Sequence, residues 1–322
     1  MASISASKAC LYYQLGYCRF GDLCRYSHED DFDDSLEGVS LTSYQHRKGV
    51  SFALAGKFVF MQDVDSALSN LARRTSEESW TTEKSISEHD QLLAYLNSLL
   101  IGIQLLNSSK TITHDLRGRT IISTGLYDLC NGTEEEIFMV LAANETKKQR
   151  YFFVEWATMN EIGSANLPKG LSFSFHRTLT TFNPKLEVIP NFEHIVVHNE
   201  RRLRQDPKYS KMNKEKFGKT VREDIMATLR QLKLNPSHKG LAPPVVPFYC
   251  FSHKTIQFLT PISGTSSVLI LCYQTYHGRK QYYAVTVLTM EMAYTNARLL
   301  GRVDTPWLKK IMKIKDEKMT TI

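Results

Sequence analysis

The sequence has no long apolar run. Its longest nearly uninterrupted one, from Leu99 to Leu106, contains Gly102 and Gln104, whereas a membrane-spanning helix needs about 20 predominantly apolar residues. We therefore expect no membrane insertion. The first ten residues, MASISASKAC, lack the apolar stretch of a secretory signal. The expected localisation is cytoplasmic or nuclear.

Glycine and proline are not in excess either. The chain has 16 Gly and 10 Pro in 322 residues, with 42% hydrophobic and 23% charged residues, which is ordinary globular composition and excludes a low-complexity polymer. The length is enough for one large domain or two. The net charge of +7 favours polyanionic partners without identifying one.

Cysteine is scarce but unevenly placed. Three of the six cysteines lie within fifteen residues, and the others are scattered at Cys130, Cys250 and Cys272. Because disulfides are rare in a reducing compartment, a cluster of cysteines there indicates metal binding.

The clustered cysteines and one histidine have the spacing C-x7-C-x5-C-x3-H. Three thiolates and one imidazole, from Cys10, Cys18, Cys24 and His28, form the complement of a closed tetrahedral zinc site. No position stays open for water, so we expect one structural Zn²⁺ and no zinc hydrolysis. Since the segment has few aliphatic residues, the metal must fold it.

The segment resembles the CCCH zinc-finger family. The resemblance covers about residues 8 to 29 and includes Gly16-Tyr17-Cys18, Phe20-Gly21-Asp22 and Tyr26-Ser27-His28. It implies binding of single-stranded RNA. The residue types agree, because stacking on bases needs rings with cationic neighbours; the rings are Phe20 and Tyr26, and the cations are Lys8, Arg19 and Arg25. The alternative is a finger that binds protein, with the same rings as interface residues.

A single finger is a weak binder. Two stacked bases give about 2 to 6 kcal/mol, whereas micromolar affinity needs about 8 kcal/mol. Six acids between Glu29 and Glu37 follow the finger and are typical of a solvated linker. Useful affinity therefore requires a second surface on the same chain.

The remaining chain mixes helical and strand patterns. Asp63 is a predicted N-cap, and capping residues Ser87 and Asp90 precede a leucine-rich helical stripe. The helical repeat from Lys214 to Leu234 predicts a helix whose other face is basic. A last helix is predicted over 290–300, and short β-branched and aromatic runs predict strands over 52–61, 119–128, 135–143, 150–158, 171–182, 254–262, 266–276 and 281–289. The fold class is α+β, with an antiparallel or mixed sheet.

Residues 119 to 308 resemble an uncharacterised domain family that occurs in bacteria and eukaryotes, sometimes alongside RNA-binding modules. The matching pieces are Ser123-Thr124-Gly125-Leu126, where the family usually begins with Asn, and Val285 to Leu300 and Pro306-Trp307-Leu308. The resemblance implies an association with RNA biology and no catalytic residue.

Three further patterns suggest sites. The segment from Glu200 to Lys219 interleaves bases with Tyr209 and Phe217, which suits phosphate contacts with stacking, or else a solvated surface. His194 and His198 share a face on either a helix or a strand, without an identifiable third metal ligand. We expect either structural hydrogen bonds or a polar pocket from the side chains of Asn296, Arg298 and Asp304.

The sequence predicts a finger at 1–29, an acidic linker at 30–48, an α+β domain at 49–310 and a basic tail at 311–322. The favoured function is zinc-dependent binding of single-stranded RNA. Two alternatives stay open: an RNA- or nucleotide-processing enzyme that uses the large domain, and a zinc-dependent adapter that binds a protein partner.

Overall fold

The computed structural model of the protein describes residues 52–54, 58–75, 80, 89–106, 111–128, 134–144, 150–163, 167–168, 181–234, 245–251 and 253–309. The chain divides into two compact units, each with one β-sheet. The described part of the first unit comprises the residues up to 168 together with Arg298–Arg302, and that of the second comprises 181–297 and Val303–Lys309.

The first unit contains a six-stranded mixed sheet. Its strands in chain order are β1 (Phe52–Leu54), β2 (Val59–Met61), β3 (Ile112–His114), β4 (Thr120–Asp128), β5 (Glu135–Ala143) and β6 (Tyr151–Thr158). The spatial order is β1-β2-β6-β5-β4-β3. All pairs are antiparallel except β2–β6, which is parallel. Strand β5 is central and buries five consecutive residues, Ile137 to Leu141.

Three helices accompany this sheet: α1 (Val64–Arg74), α2 (Asp90–Leu106) and α3 (Met159–Ile162). The predicted N-cap is confirmed, because the Asp63 carboxylate accepts the Ser66 backbone N–H at 3.0 Å. Helix α2 buries the predicted leucine stripe from Leu92 to Ile103, while Ser87 lies outside the described residues.

The second unit contains a five-stranded sheet. Its strands are β7 (Glu187–Pro190), β8 (Val246–Cys250), β9 (Thr255–Pro261), β10 (Ser267–Tyr276) and β11 (Arg279–Thr289). They follow the order β7-β11-β10-β9-β8, and β7–β11 is the parallel pair. The β10–β11 hairpin supplies the longest ladder, from Ser267 opposite Thr289 to Tyr276 opposite Arg279.

The helices of this unit follow β7. A π-helical turn (His194–His198) precedes α4 (Glu200–Leu203), α5 (Pro207–Ser210), α6 (Lys214–Leu234), α7 (Met290–Arg298) and α8 (Pro306–Lys309). The predicted limits of α6 are confirmed, and its repeating apolar residues, Phe217, Val221, Ile225, Leu229 and Leu232, are all buried. Within the described residues, no helix has the length and apolar character to cross a membrane.

The predicted α+β class with mixed sheets is confirmed. One strand prediction is wrong: residues 52–61 form two antiparallel strands, β1 and β2, with Ala53 opposite Phe60. The predicted strand over 171–182 lies outside the described residues except for its last two positions. The predicted boundaries after residues 29, 48 and 310 also fall outside them and stay predictions.

Candidate nucleic-acid interface

The predicted finger lies outside the described residues. This applies to the four predicted zinc ligands and to the five predicted RNA contacts, which are Cys10, Cys18, Cys24 and His28, and Lys8, Arg19, Phe20, Arg25 and Tyr26. The structure therefore places none of them, and their assignment stays a prediction.

The predicted stacking residues of the Glu200–Lys219 segment are core residues. Tyr209 is fully buried and Phe217 is 1% exposed, and their rings meet edge to face with centroids 6.0 Å apart. The Tyr209 hydroxyl donates to the Asp224 carboxylate at 2.7 Å. Burial and this carboxylate raise the pKa of Tyr209. Neither ring is available to a base, so the aromatic part of that prediction is wrong.

Several cations of the same segment are used internally. The Arg204 guanidinium lies 4.4 Å from the centre of the Phe217 ring, donates to the Glu200 carboxylate at 2.7 Å and donates to the Met212 carbonyl at 2.9 Å. The Lys208 ammonium pairs with Asp224 at 2.6 Å. These contacts hold α4 and α5 against α6. Because both cations are already paired within the protein, they are not available to bind phosphate.

Helix α6 carries an exposed arc in which basic residues predominate. With 100° per residue, its exposed positions after Lys214 fall within about 60° of Lys219 on the helical wheel. We call the exposed cations of this arc the basic stripe; they are Lys216, Lys219, Arg222, Arg230 and Lys233. The stripe is about 25 Å long at 1.5 Å per residue.

Most of the positive charge of the stripe is not neutralised by ion pairs with other described residues. Within the part of the chain that the structure describes, none of its five cations forms an ion pair. Arg222 lies over the half-buried Phe192 ring at 5.1 Å, which orients its guanidinium by a cation–π contact. Glu215 and Glu223 share the arc, so cations outnumber carboxylates five to two. Such an excess attracts polyanions.

A second cluster, in the first unit, explains the Ser-Thr-Gly motif. The β4–β5 pairing shifts between Ser123 and Leu126, which leaves Thr124 and Gly125 in a bulge. The Glu136 carboxylate accepts the Ser123 hydroxyl and, at 3.3 Å, the Gly125 N–H. The Thr124 hydroxyl donates to the Ile137 carbonyl at 2.5 Å. The Thr124 hydroxyl thus satisfies backbone groups of the interrupted ladder, and the Ser123 hydroxyl bonds to the Glu136 side chain.

Two residues distant in sequence close this bulge. The Tyr95 hydroxyl donates to the Thr124 carbonyl at 2.7 Å, and the buried Arg298 guanidinium donates to the Gly125 carbonyl at 3.0 Å. Arg298 also lies 5.5 Å from the centre of the Tyr95 ring. Two of the segments that carry the domain resemblance, Ser123 to Leu126 and Val285 to Leu300, therefore contact each other here. Their contacts stabilise the fold of the bulge.

The remaining predicted sites show structural contacts. His194 and His198 lie on the π-helical turn with ring centroids 5.1 Å apart. No group of three His, Cys, Asp or Glu side chains suited to a metal occurs among the described residues. The Asn296 amide donates to the Met292 carbonyl, and Asp304 accepts from Lys309, as expected for structural hydrogen bonds.

Comparison with known families identifies two parts of the chain. Residues 6–30 match the family "Zinc finger C-x8-C-x5-C-x3-H type (and similar)", here with seven residues instead of eight between the first two cysteines. Residues 71–307 match the "Domain of unknown function (DUF3825)". Because this second match covers most of the chain, the protein belongs to the DUF3825 family. No curated protein and no solved structure matches the chain.

The finger match supports two coarse conclusions. It implies zinc binding, and fingers of this type commonly bind RNA. The sequence reasoning anticipated both, as well as a basic face on α6. It missed the bulge contact of Glu136 and the use of Arg204 inside the fold. The apolar run of strand β5 contains no signal for the Glu136 contact. A run of charged residues does not show that Arg204 pairs inside the fold.

Proposed function

We propose that this protein binds single-stranded RNA through two linked surfaces: the zinc-folded finger and the basic stripe of α6. The main support is the finger match at residues 6–30. The stripe supports it independently, because five exposed cations that form no ion pair with any described residue are suited to a phosphate backbone.

The donor set of the finger fits zinc. Three thiolates and one imidazole from Cys10, Cys18, Cys24 and His28 are the ligands of a closed tetrahedral site. When bound, the ion supplies the free energy that folds the segment. In this proposal the finger holds Phe20 and Tyr26 for base stacking.

The stripe supplies the affinity that one finger lacks. For single strands, log K falls by about 0.7 per log unit of salt for each phosphate neutralised, so five contacts predict a slope of about −3.5. The linkage of two weak surfaces on one chain raises the effective concentration of the second. We also propose the boundaries 1–29, 30–48, 49–310 and 311–322 for finger, linker, domain and tail.

Two sets of variants of the full chain test this proposal against a mixed-sequence single-stranded RNA. Phe20→Ala with Tyr26→Ala should weaken binding at least about tenfold while the zinc content stays unchanged, because stacking gives about 1 to 3 kcal/mol per base. Lys219→Gln with Arg230→Gln should lower the salt slope by about 1.4.

The matched control for the stripe is Lys185→Gln with Arg117→Gln. It removes the same charge from exposed positions outside α6, and its salt slope should equal that of the wild type. Equal slopes for the two charge variants would exclude the stripe as a contact surface. If Phe20→Ala with Tyr26→Ala binds RNA as tightly as the wild type, the result would favour a finger that binds protein.

A further inference from the structure

The β10–β11 hairpin extends beyond the five-stranded sheet. The ladder between β10 and β9 ends at Cys272, and that between β11 and β7 begins at Gln281. Among the described residues, no strand pairs with the hairpin beyond these two positions. The segment from Thr275 to Lys280 is therefore a two-stranded ribbon with no neighbouring strand at either edge among the described residues.

The end of this ribbon has a fixed geometry. His277 and Gly278 form the two-residue turn, with φ of 48° and 77°. Positive φ at both positions is typical of a type I′ turn, whose twist matches that of the flanking strands. Arg279 and Lys280, which precede the strand predicted over 281–289, are the first residues of β11.

Aromatic packing anchors the base of the ribbon. Tyr282 stacks on Phe182 with centroids 4.8 Å apart, and Tyr273 meets Tyr282 edge to face at 5.9 Å. The Tyr282 hydroxyl accepts the Asn183 N–H at 3.0 Å. A rigid base reduces the entropy lost when the ribbon binds a ligand.

The hairpin tip, Tyr276 to Lys280, combines an exposed ring with cations. Tyr276 is 58% exposed and touches the His277 ring, with centroids 4.2 Å apart. Arg279 lies directly opposite Tyr276 in the ladder, so their side chains share a face about 5 Å apart at Cβ. Lys280 is exposed on the other face.

The charge of the ribbon favours an anion. No Asp or Glu occurs from Ser266 to Met290. On the neighbouring strand, Glu187 lies beside Gln281, two residues from Arg279 towards the base of the ribbon. Arg279 shares the face of Gln281, and within the described residues it forms no ion pair with Glu187.

We propose that the hairpin tip is a further binding site for single-stranded RNA. Tyr276 stacks on a base, and Arg279, which shares its face, contacts a flanking phosphate. This inference rests on the proposed function and adds a contact outside the finger and the basic stripe. Proteins that bind single strands combine exposed aromatic rings with positive charge. The hairpin tip has an exposed ring, a guanidinium beside it and no acidic residue in the hairpin itself.

The test uses the full chain and a fluorescein-labelled mixed-sequence RNA of about twelve nucleotides, within the usual range of single-strand sites. Tyr276→Ala should weaken binding about 5- to 150-fold, as expected for one lost base stack. Tyr276→Phe should keep the wild-type affinity because it keeps the ring. Arg279→Gln should lower the salt slope by about 0.7, whereas Tyr276→Ala should leave the slope unchanged.

Tyr127→Ala is the matched control, since Tyr127 is 48% exposed on β4 of the first unit. It should bind RNA like the wild type. If Tyr276→Ala also binds like the wild type while Phe20→Ala with Tyr26→Ala weakens binding, this inference is refuted and the proposed function stands. A tip that binds a protein would give that same result. If the wild type binds no RNA, both proposals fail.

Discussion

Gly125 gives the sharpest test of the packing in the first unit. Its φ of +64° is left-handed, and a Cβ added there would lie 3.3 Å from the Tyr95 hydroxyl. That hydroxyl is held by its 2.7 Å hydrogen bond to the Thr124 carbonyl, which is buried. Gly125→Ala therefore introduces backbone strain and also forces the Tyr95 hydroxyl to shift by a few tenths of an ångström, which disturbs a buried hydrogen bond.

The expected cost has two parts. A left-handed non-glycine residue costs about 1 to 2 kcal/mol, and a disturbed buried hydrogen bond costs about 1 to 3 kcal/mol. We expect Gly125→Ala to lower the free energy of unfolding by about 2 to 5 kcal/mol, a large share of the roughly 5 to 15 kcal/mol typical of a folded protein.

Gly163 is a matched control in the same unit. Its φ is +65°, and nothing lies within 4 Å of an added Cβ. Gly163→Ala therefore measures the strain alone, about 1 to 2 kcal/mol. Urea unfolding followed by tryptophan fluorescence suits both variants, because Trp80 and Trp156 are buried in this unit.

A double-mutant cycle separates the cost of the contact with the Tyr95 hydroxyl from the cost of the backbone strain. Tyr95→Phe removes the hydroxyl, so Gly125→Ala made in that background should cost about as much as Gly163→Ala. The coupling between the two sites should then be about 1 kcal/mol or more. Equal costs for the two glycine variants in the wild-type background, or a coupling near zero, would refute the reasoning.

Three further predictions concern the metal, an ion-pair network and pH. Cys24→Ser should abolish stoichiometric zinc, measured by atomic absorption, and RNA binding through the finger, since the closed site needs all four ligands. Arg74→Met should destabilise the first unit by about 3 kcal/mol in urea, because Arg74 donates to the Asp128 carboxylate at 2.6 Å and to the Trp156 carbonyl at 2.8 Å; the exposed Arg73→Met should have little effect. Burial favours neutral Asp115, but hydrogen bonds from Arg119 and two backbone N–H groups outweigh it and lower the pKa of Asp115. Its contribution to stability should therefore be present above about pH 4 and be lost as the pH falls further, and Asp115→Asn should remove this part of the acid dependence measured by thermal unfolding.

Local sequence predicted the elements whose stabilising contacts repeat within a few residues. The limits of α6 and β5 match the predictions, and the Asp63 cap lies where expected. The short strands β3, β7 and β8 were missed because none has enough alternating residues to signal a strand. The reversal between β1 and β2 was missed because Ala-Gly-Lys is a weak turn signal beside Asn-Gly or Asp-Gly.

The candidate interface could be predicted only in part. A run of charge identifies a basic region, but it does not separate Arg204, which packs on Phe217 of α6, from Lys219, which forms no ion pair within the described residues. Whether a cationic side chain pairs within the fold depends on which carbonyl or carboxylate lies within its reach. Those partners belong to other elements of the fold.

By itself the sequence determined the features whose partners are close along the chain: four proposed zinc ligands within nineteen residues, the amphipathic repeat of α6 and the hairpin between β10 and β11. The tertiary structure alone decided the two sheets, their parallel pairs β2–β6 and β7–β11, and the closure of the Gly125 bulge by Arg298. These contacts join residues about 90 to 170 positions apart, and helical or strand periodicity contains no information at that distance.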